Sequence, residues 1–219
     1  MSEVNIILPD GSSKAFAAGT TLGEAVKQIS NSLAKKVLAA DVNGELTDLR
    51  EVLVEGSKVS FLTFAEDGGK HAFRHTASHV MAQAVKRLWP DAQLAIGPAI
   101  ENGFYYDIDM EHKLVPEDLP KIEAEMSRIV KENLPIEKVL MERQEALDFF
   151  AAKHENYKVE LINDLPADAV ISAYKQGDFT DLCAGPHLAS TGKVKAFKLQ
   201  SIAGAYWRGD EKNKMLQRI

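Results

Sequence analysis

The chain has 219 residues, of which 45% are hydrophobic and 26% are charged, and its formal net charge is −6. These values predict a globular protein with one large domain or two smaller ones, and the acidic balance excludes a general nucleic-acid coat. The single cysteine excludes a disulfide-stapled secreted domain, and no apolar run is long enough for a membrane span. We therefore expect a cytoplasmic protein that makes no membrane contact.

The first 65 residues predict a small β-grasp domain. Alternating apolar residues indicate strands over residues 4–8 and 13–17, and Thr20 or Thr21 caps a short helix that ends at Ile29. Further strands are predicted over residues 37–42, 45–49 and 58–64. Two strands, a helix and more strands are typical of a ubiquitin-like unit. The polar, glycine-rich residues 66–70 then predict a linker.

Residues 66–219 predict a second, larger α+β domain with a mostly antiparallel sheet packed against helices. One helix ends before Pro90, and two more are expected over residues 116–133 and 142–152. Short strands follow over residues 170–174 and 179–182, and the chain closes with basic β segments. The overall class is therefore α+β, with domains at residues 1–65 and 66–219.

The last segment, residues 193–219, carries seven basic and two acidic side chains. It also contains Phe197, Tyr206 and Trp207. Cations close to aromatic rings suit the single-stranded end of a nucleic acid, because phosphates need charge and unstacked bases need a flat partner. A solvated β-hairpin with ordinary lysine decoration explains the same composition, so both interpretations stay open.

The first helix of the second domain carries His75 and His79, which share one helical face because they lie four residues apart. The predicted core-facing stripe falls on the opposite side and consists of Ala77, Val80, Met81, Ala84, Val85 and Leu88. The two histidines are thus not needed to fill the core. They are either solvated surface residues or part of a site.

A second segment, residues 181–187, favours a site. It contains Cys183, the only cysteine of the chain, and His187, with a Gly185-Pro186 turn between them. If this turn lies beside the helix, it completes a group of three histidines and one thiol, which has the composition of a zinc site. Such a pocket is also suited to hydrolysis.

Taken in order, the motifs resemble the amino-terminal part of bacterial threonyl-tRNA synthetases, which consists of a TGS-type β-grasp domain followed by an editing domain. The segments that carry this resemblance are Arg74-His75-Thr76-Ala77-Ser78-His79, Ala95-Ile96-Gly97-Pro98, Asn102-Gly103-Phe104-Tyr105-Tyr106-Asp107, Tyr157-Lys158-Val159, Asp181-Leu182-Cys183-Ala184-Gly185-Pro186-His187 and Gly204-Ala205-Tyr206-Trp207-Arg208-Gly209-Asp210. The closing residues resemble the join to the aminoacylation domain. The resemblance therefore implies a region that edits without charging tRNA.

The implied reaction is hydrolysis of the ester that joins serine to threonine tRNA. Serine lacks one methyl group of threonine, and one methyl group is discriminated by only about 10- to 200-fold in a binding pocket. A second pocket must therefore remove the error. The implied partner is the 3′ acceptor end of threonine tRNA carrying serine. The resemblance also implies a homodimeric full-length enzyme, with the amino-terminal part possible as a monomer.

The resemblance assigns roles to individual residues. Lys158 handles the water or the charge of the leaving group, His75 orients the terminal adenosine and its ribose hydroxyl or relays a proton, and Asp181 binds the substrate amino group. Tyr106 and the Gly97 backbone shape the side-chain pocket. The further substrate-binding residues are His79, Cys183 and His187.

No metal is favoured, because the threonyl editing domains are understood to work without one. The related alanyl editing domains hold zinc with such a set, so zinc at His75, His79, Cys183 and His187 is the alternative. Two other functions stay open: a free-standing zinc-dependent deacylase of the alanyl-tRNA type, which the β-grasp leader disfavours, and a non-catalytic RNA-binding module.

Overall fold

The structure is a computed structural model that describes residues 2–219. Its α-helices are α1 Leu22–Ile29, α2 Asn31–Ala34, α3 Asp67–Leu88, α4 Leu119–Glu132, α5 Arg143–Ala152 and α6 Asn156–Asp164. Its strands are β1 Glu3–Ile7, β2 Ser13–Ala17, β3 Ala39–Val42, β4 Glu45–Thr47, β5 Val59–Leu62, β6 Gln93–Leu94, β7 Ala99–Ile100, β8 Gly103–Phe104, β9 Asp107–Asp109, β10 Ile136–Met141, β11 Ile171–Gln176, β12 Phe179–Leu182, β13 Ala203–Tyr206 and β14 Met215–Arg218. The chain divides into two units, which are described separately.

The first unit comprises residues 2–74 and 185–189. Strands β1 and β2 form an antiparallel hairpin, and β3 lies between β4 and β5 in an antiparallel sheet. A capping box starts α1, because Thr21 and Glu24 satisfy each other's backbone N–H groups. The strands and α1 share one core, formed by Ile6, Phe16, Leu22, Ala25, Ala40, Leu53 and Val59. The predicted β-grasp fold is confirmed.

The predicted linker over residues 66–70 is wrong, because α3 already begins at Asp67. The Glu66 carboxylate accepts hydrogen bonds from the backbone N–H and the hydroxyl of Thr63, at 2.6 and 2.9 Å. A Cβ atom at Gly69 would lie 1.8 Å from the Thr63 carbonyl oxygen. The glycine therefore permits a close approach of two backbone segments and does not serve as a flexible joint.

The second unit comprises residues 75–184 and 190–219. Strands β10, β11 and β12 form one antiparallel sheet. A second antiparallel sheet has four strands in the order β13-β14-β9-β6. Strand β10 and helix α6 were not predicted, whereas the α+β class with antiparallel sheets is confirmed. Within residues 2–219 no helix has both the length and the apolar character that crossing a membrane requires.

Helix α3 differs from its predicted amphipathic form. Residues 76–85 are all buried, His79 is only 3% exposed, and Leu88 is 37% exposed although it was assigned to the core. The prediction that the polar side faces away from the core is therefore wrong for His79. The reason is that this face packs through polar contacts, which a hydrophobic periodicity cannot register.

The basic terminal segment forms the antiparallel hairpin of β13 and β14. Four of its cations lie against acids of the same unit: Lys198 with Glu123, Arg208 with Glu160, Lys214 with Asp109, and Arg218 with Asp107. The Trp207 indole is buried and donates to Glu160 at 3.2 Å. These contacts favour the interpretation as a structural hairpin over a free cationic surface.

Candidate active site

Helix α3 and strand β12 bring four of the predicted residues together in the second unit. His75 Nε2 lies 3.3 Å from Cys183 Sγ, and His79 Nε2 lies 3.5 Å from Asp181 Oδ2. The two imidazole rings meet edge to face, with centroids 5.2 Å apart. The helix and the distant segment therefore do converge. Asp181 and Cys183 thus lie beside the two histidines of α3, as the sequence predicted.

A buried ion pair lies beside this contact. The Lys158 ammonium lies 2.8 Å from Asp181 Oδ1 and donates to the Ala95 carbonyl at 2.7 Å and to the Tyr106 hydroxyl at 2.9 Å. The Tyr106 hydroxyl in turn donates to Asp181 Oδ2. Lys158 is 3% exposed and Asp181 is 1% exposed. Two hydrogen bonds and one ion pair thus hold the ammonium group in place.

The position of Lys158 depends on the start of α6. Lys158 lies in the first turn of this helix, and the buried Glu155 is the residue that precedes the helix. The Glu155 carboxylate accepts a hydrogen bond from the Leu94 N–H at 2.9 Å and forms an ion pair with Lys86 at 2.8 Å. Glu155 thereby ties α6 to α3 and to the backbone next to Ala95. This anchoring residue was not predicted, since a lone glutamate after a helix is usually solvated.

Gly97 lies against the ring of Tyr106. A Cβ atom at Gly97 would lie 2.1 Å from this ring. The Ser78 hydroxyl shares its hydrogen between the carbonyl groups of Gly97 and His75, both at 2.8 Å. Ser78 was not predicted, although a buried hydroxyl within an apolar helical run is a signal for such a contact. The two contacts hold the Gly97 loop against α3 and Tyr106.

We expect Gly97→Ala to destabilise the protein. The added methyl group must displace a buried aromatic ring, and overpacking of this kind costs about 1–3 kcal/mol. Urea unfolding followed by circular dichroism measures the change. Gly103→Ala is the matched control, because a Cβ atom there meets no atom within 4 Å. Equal stability of the two variants would contradict the close packing of Gly97 on Tyr106.

Burial and neighbouring charges shift the pKa values of His79, Tyr106 and Asp181 in different directions. Burial lowers the pKa of His79 to about 3, although the Asp181 charge opposes the shift. Burial also raises the pKa of Tyr106, and the Asp181 charge raises it further. For Asp181, burial raises the pKa, but the charges of Lys158 and His79 and the hydrogen bonds outweigh this, and the pKa is lowered. At neutral pH the site thus holds a carboxylate, a neutral imidazole and a phenol.

Three of the four predicted zinc ligands lie in the second unit. The ligand atoms of His75, His79 and Cys183 lie within 4.8 Å of one another, so this group could bind a metal such as zinc. Asp181 lies next to His79 Nε2, and a carboxylate beside a ligating imidazole is a common arrangement in zinc sites. The donor set therefore fits zinc chemically.

The fourth residue, His187, belongs to the first unit, and its side chain is buried. Its N–H donates to Asp48 at 2.7 Å, and its carbonyl oxygen accepts from Arg50 at 3.2 Å. Asp48 and Arg50 form an ion pair at 2.9 Å. Gly185 adopts φ = +84°, which glycine accepts without strain, in the predicted turn. The backbone of His187 is therefore held by the β-grasp unit.

Comparison with known proteins identifies both units. The family profile of the TGS domain matches residues 4–63, and that of the threonyl and alanyl tRNA synthetase second additional domain matches residues 171–219. The threonine–tRNA ligases of Clostridioides difficile and Acetivibrio thermocellus are each 58% identical to the chain over 216 residues, which is 99% of this chain and 34% of each relative. The corresponding enzyme of Symbiobacterium thermophilum is 54% identical over 218 residues, covering 100% of this chain and 34% of its own length.

The chain thus spans about a third of the length of the curated relatives that it matches. The similarity runs through both profile matches and through the residues between them. This agrees with the order of motifs in the sequence. The chain therefore belongs to the bacterial threonyl-tRNA synthetase family, as the counterpart of its amino-terminal TGS and editing region.

Proposed function

We propose that the chain hydrolyses the ester of serine mischarged onto threonine tRNA. The observation that carries this proposal is the buried Lys158–Asp181 pair, which lies directly beside His75, His79 and Cys183. A buried charge pair of this kind is costly to maintain, and such pairs are enriched at sites of chemistry. We assign the TGS-type domain to residues 1–65 and the editing domain to residues 66–219.

Lys158 supplies positive charge to the reaction. An ammonium group donates three hydrogen bonds and accepts none, so it cannot take a proton from the attacking water. Its charge stabilises the oxyanion that develops on the carbonyl group or on the leaving ribose oxygen. By exchanging its bond to the Tyr106 hydroxyl or to the Ala95 carbonyl, it can also donate directly to that oxygen.

Asp181 binds the ammonium group of the seryl moiety. Its two oxygens contact Lys158, Tyr106 and His79, and a carboxylate has lone-pair sites for a further donor. His75, whose Nε2 lies near Cys183, either orients the terminal adenosine and its ribose hydroxyl or relays a proton. Gly97 and Tyr106 form the wall of the side-chain pocket. The Gly97 backbone lies directly against the Tyr106 ring. At this wall threonine is kept out either by its size or by failing to position the attacking water.

Direct hydrolysis assays test this function. Threonine tRNA charged with serine or with threonine is incubated with the protein, and the remaining ester is followed over time. We expect rapid loss of the seryl ester and slow loss of the threonyl ester. Replacing His75 by Ala is expected to slow seryl hydrolysis by about 100-fold or more. The matched control is His71→Ala, one turn earlier and exposed. If wild type leaves the seryl ester intact, the proposal fails.

The same assay distinguishes the two alternatives. A deacylase of the alanyl-tRNA type would hydrolyse alanine tRNA charged with serine in preference to threonine tRNA charged with serine. A non-catalytic RNA-binding module would bind the acceptor end, and the seryl ester would disappear at its uncatalysed rate. The β-grasp unit favours the threonyl assignment, since the TGS profile matches residues 4–63.

We propose that hydrolysis needs no metal. The Lys158 ammonium already balances the Asp181 carboxylate, and a dication at His79 would add two further positive charges to the same buried region. We therefore expect dialysis against 1,10-phenanthroline to leave seryl ester hydrolysis unchanged within about twofold. Elemental analysis of the dialysed protein verifies that it is metal-free. Stoichiometric zinc whose removal stops hydrolysis would overturn this assignment.

The remaining assignments follow from the family. We propose that the partner is the 3′ acceptor end of threonine tRNA and that the protein acts in the cytoplasm. Aminoacylation belongs to the part of the relatives that the chain does not span.

A further inference from the structure

A polar seam joins helix α3 to the hairpin of β11 and β12. It is formed by His75, His79, Gln83 and Arg87, which recur every four residues and therefore lie along one helical face. Each of them contacts the hairpin: His75 meets Cys183, His79 meets Asp181, Gln83 meets Gln176, and Arg87 meets Asp178. The helix thus lies against the strands that carry the proposed active-site residues through directional contacts.

The centre of the seam is a pair of buried amides. Gln83 and Gln176 are each 1% exposed. Gln176 Nε2 donates to Gln83 Oε1 at 2.9 Å and approaches the His79 carbonyl oxygen at 3.4 Å. Gln83 Nε2 donates to the Gln176 carbonyl at 3.2 Å and to Asp178 Oδ1 at 2.8 Å. Both amide nitrogens and the Gln83 side-chain oxygen are therefore matched across the seam.

Such a pair fixes the register of the helix, whereas an apolar contact does not. A buried amide that loses its partner pays the desolvation cost of its unpaired groups, so only one relative position of helix and hairpin is favourable. A shift of α3 by one residue moves its side chains by about 1.5 Å along the axis. His79 is already 3.5 Å from Asp181, so a shift of this size would break that contact.

We propose that Gln83 and Gln176 are positioning residues, which hold His75 and His79 of α3 in register with Cys183 and Asp181 of the hairpin. This inference rests on the proposed function for its kinetic consequence. The two glutamines touch neither the substrate nor the reacting atoms, and they act through the register of the seam. A misplacement of about 1 Å can cost 100-fold in rate.

The test compares Q83L, Q176L and the double variant Q83L/Q176L. Each single variant leaves one buried amide without its partner, so we expect its Tm to fall. The double variant removes both buried amides, so we expect part of the loss in Tm to be recovered. The amide donors to Asp178 and to the His79 and Gln176 carbonyl groups stay lost. The kcat for seryl ester hydrolysis stays at least tenfold below wild type in the double variant, with little change in KM. If the leucine pair does not fold, Q83M/Q176M, which is closer in shape to glutamine, gives the same readouts.

A second readout does not depend on hydrolysis. Cys183 is the only thiol of the chain and lies at the end of the seam, so its alkylation rate with iodoacetamide reports the local register. We expect this rate to change at least threefold in the double variant. Thr191→Val is the control, because Thr191 is buried and its hydroxyl bonds the backbone of Ile129 and Leu134 outside the seam. It should lower Tm and leave both the kcat and the alkylation rate unchanged.

The outcomes separate this inference from the proposed function. A double variant with wild-type kcat and wild-type alkylation rate overturns the positioning role, since the amides then contribute only stability. A wild-type protein that does not hydrolyse the seryl ester overturns the proposed function. In that case the alkylation rate alone decides whether Gln83 and Gln176 set the register.

Discussion

Replacing Lys158 by methionine is expected to lower the free energy of unfolding by about 3–5 kcal/mol at pH 7. Methionine fills a similar volume but leaves the buried Asp181 carboxylate without its counter-charge. Breaking a buried pair by removing one partner is costly for this reason, whereas removing both charges is not. We therefore expect the double variant K158M/D181N to be more stable than K158M alone.

The loss of unfolding free energy in K158M should also depend on pH in a defined direction. The pKa of Asp181 is lowered in the folded protein, so this group contributes stability above its unfolded pKa of about 3.9, and the contribution is lost as the pH falls through the folded pKa. In K158M the ammonium charge no longer offsets the rise in the Asp181 pKa that burial causes, so we expect Asp181 to take up a proton more readily. The difference between wild type and K158M is therefore largest near pH 7 and narrows on acidification towards pH 4.

Urea unfolding at pH 7 and at pH 4 measures this effect, and seryl ester hydrolysis measures its functional counterpart. Without the cation we expect hydrolysis to slow by about 100- to 10,000-fold. Lys175→Met is the matched control, because Lys175 lies exposed on the neighbouring strand β11. If K158M and K175M unfold at the same urea concentration and hydrolyse the ester equally fast, the buried pair contributes neither stability nor catalysis.

Acidification is expected to destabilise the protein through His79 well above the pH at which its carboxylates titrate. The folded pKa of His79 is about 3, because burial disfavours the imidazolium, whereas an unfolded histidine titrates near 6.5. Between these values the unfolded state binds the extra proton, so stability rises with pH. The contribution of His79 is complete above about pH 6.5 and is lost as the pH falls towards 3, by up to about 1.4 kcal/mol per pH unit.

Comparing wild type with His79→Phe isolates the contribution of His79 to the pH dependence of stability. Phenylalanine fills the space beside Tyr106 and Phe179 but cannot take up a proton. We expect its free energy of unfolding to depend less steeply on pH than that of wild type between pH 6.5 and pH 4, where urea unfolding curves are readily measured. His71→Ala, at an exposed position of the same helix, should follow wild type. Parallel curves for H79F and wild type would show that His79 is not buried as a neutral ring.

Much of the fold could be predicted from the sequence because local chemistry decides it. The alternating strands and the Thr21 cap define the β-grasp unit, and helix α1 ends at Ile29 as expected. The glycines of residues 66–70 misled the prediction, because their role is a close approach to the Thr63 carbonyl oxygen, which no local pattern reveals. Helix α6 was missed because it buries a lysine, Lys158, which hydrophobic periodicity does not count as a core residue.

The order of the motifs along the chain singled out His75, Lys158, Asp181 and Cys183 as candidate site residues, and these residues do come together. The burial of His79 and the pairing of Gln83 with Gln176 became visible only in the folded molecule. This is because hydrophobic periodicity reports which side chains avoid water. A polar face can also be buried when partners about 90 to 110 residues away satisfy it, and that pairing exists only in the folded chain.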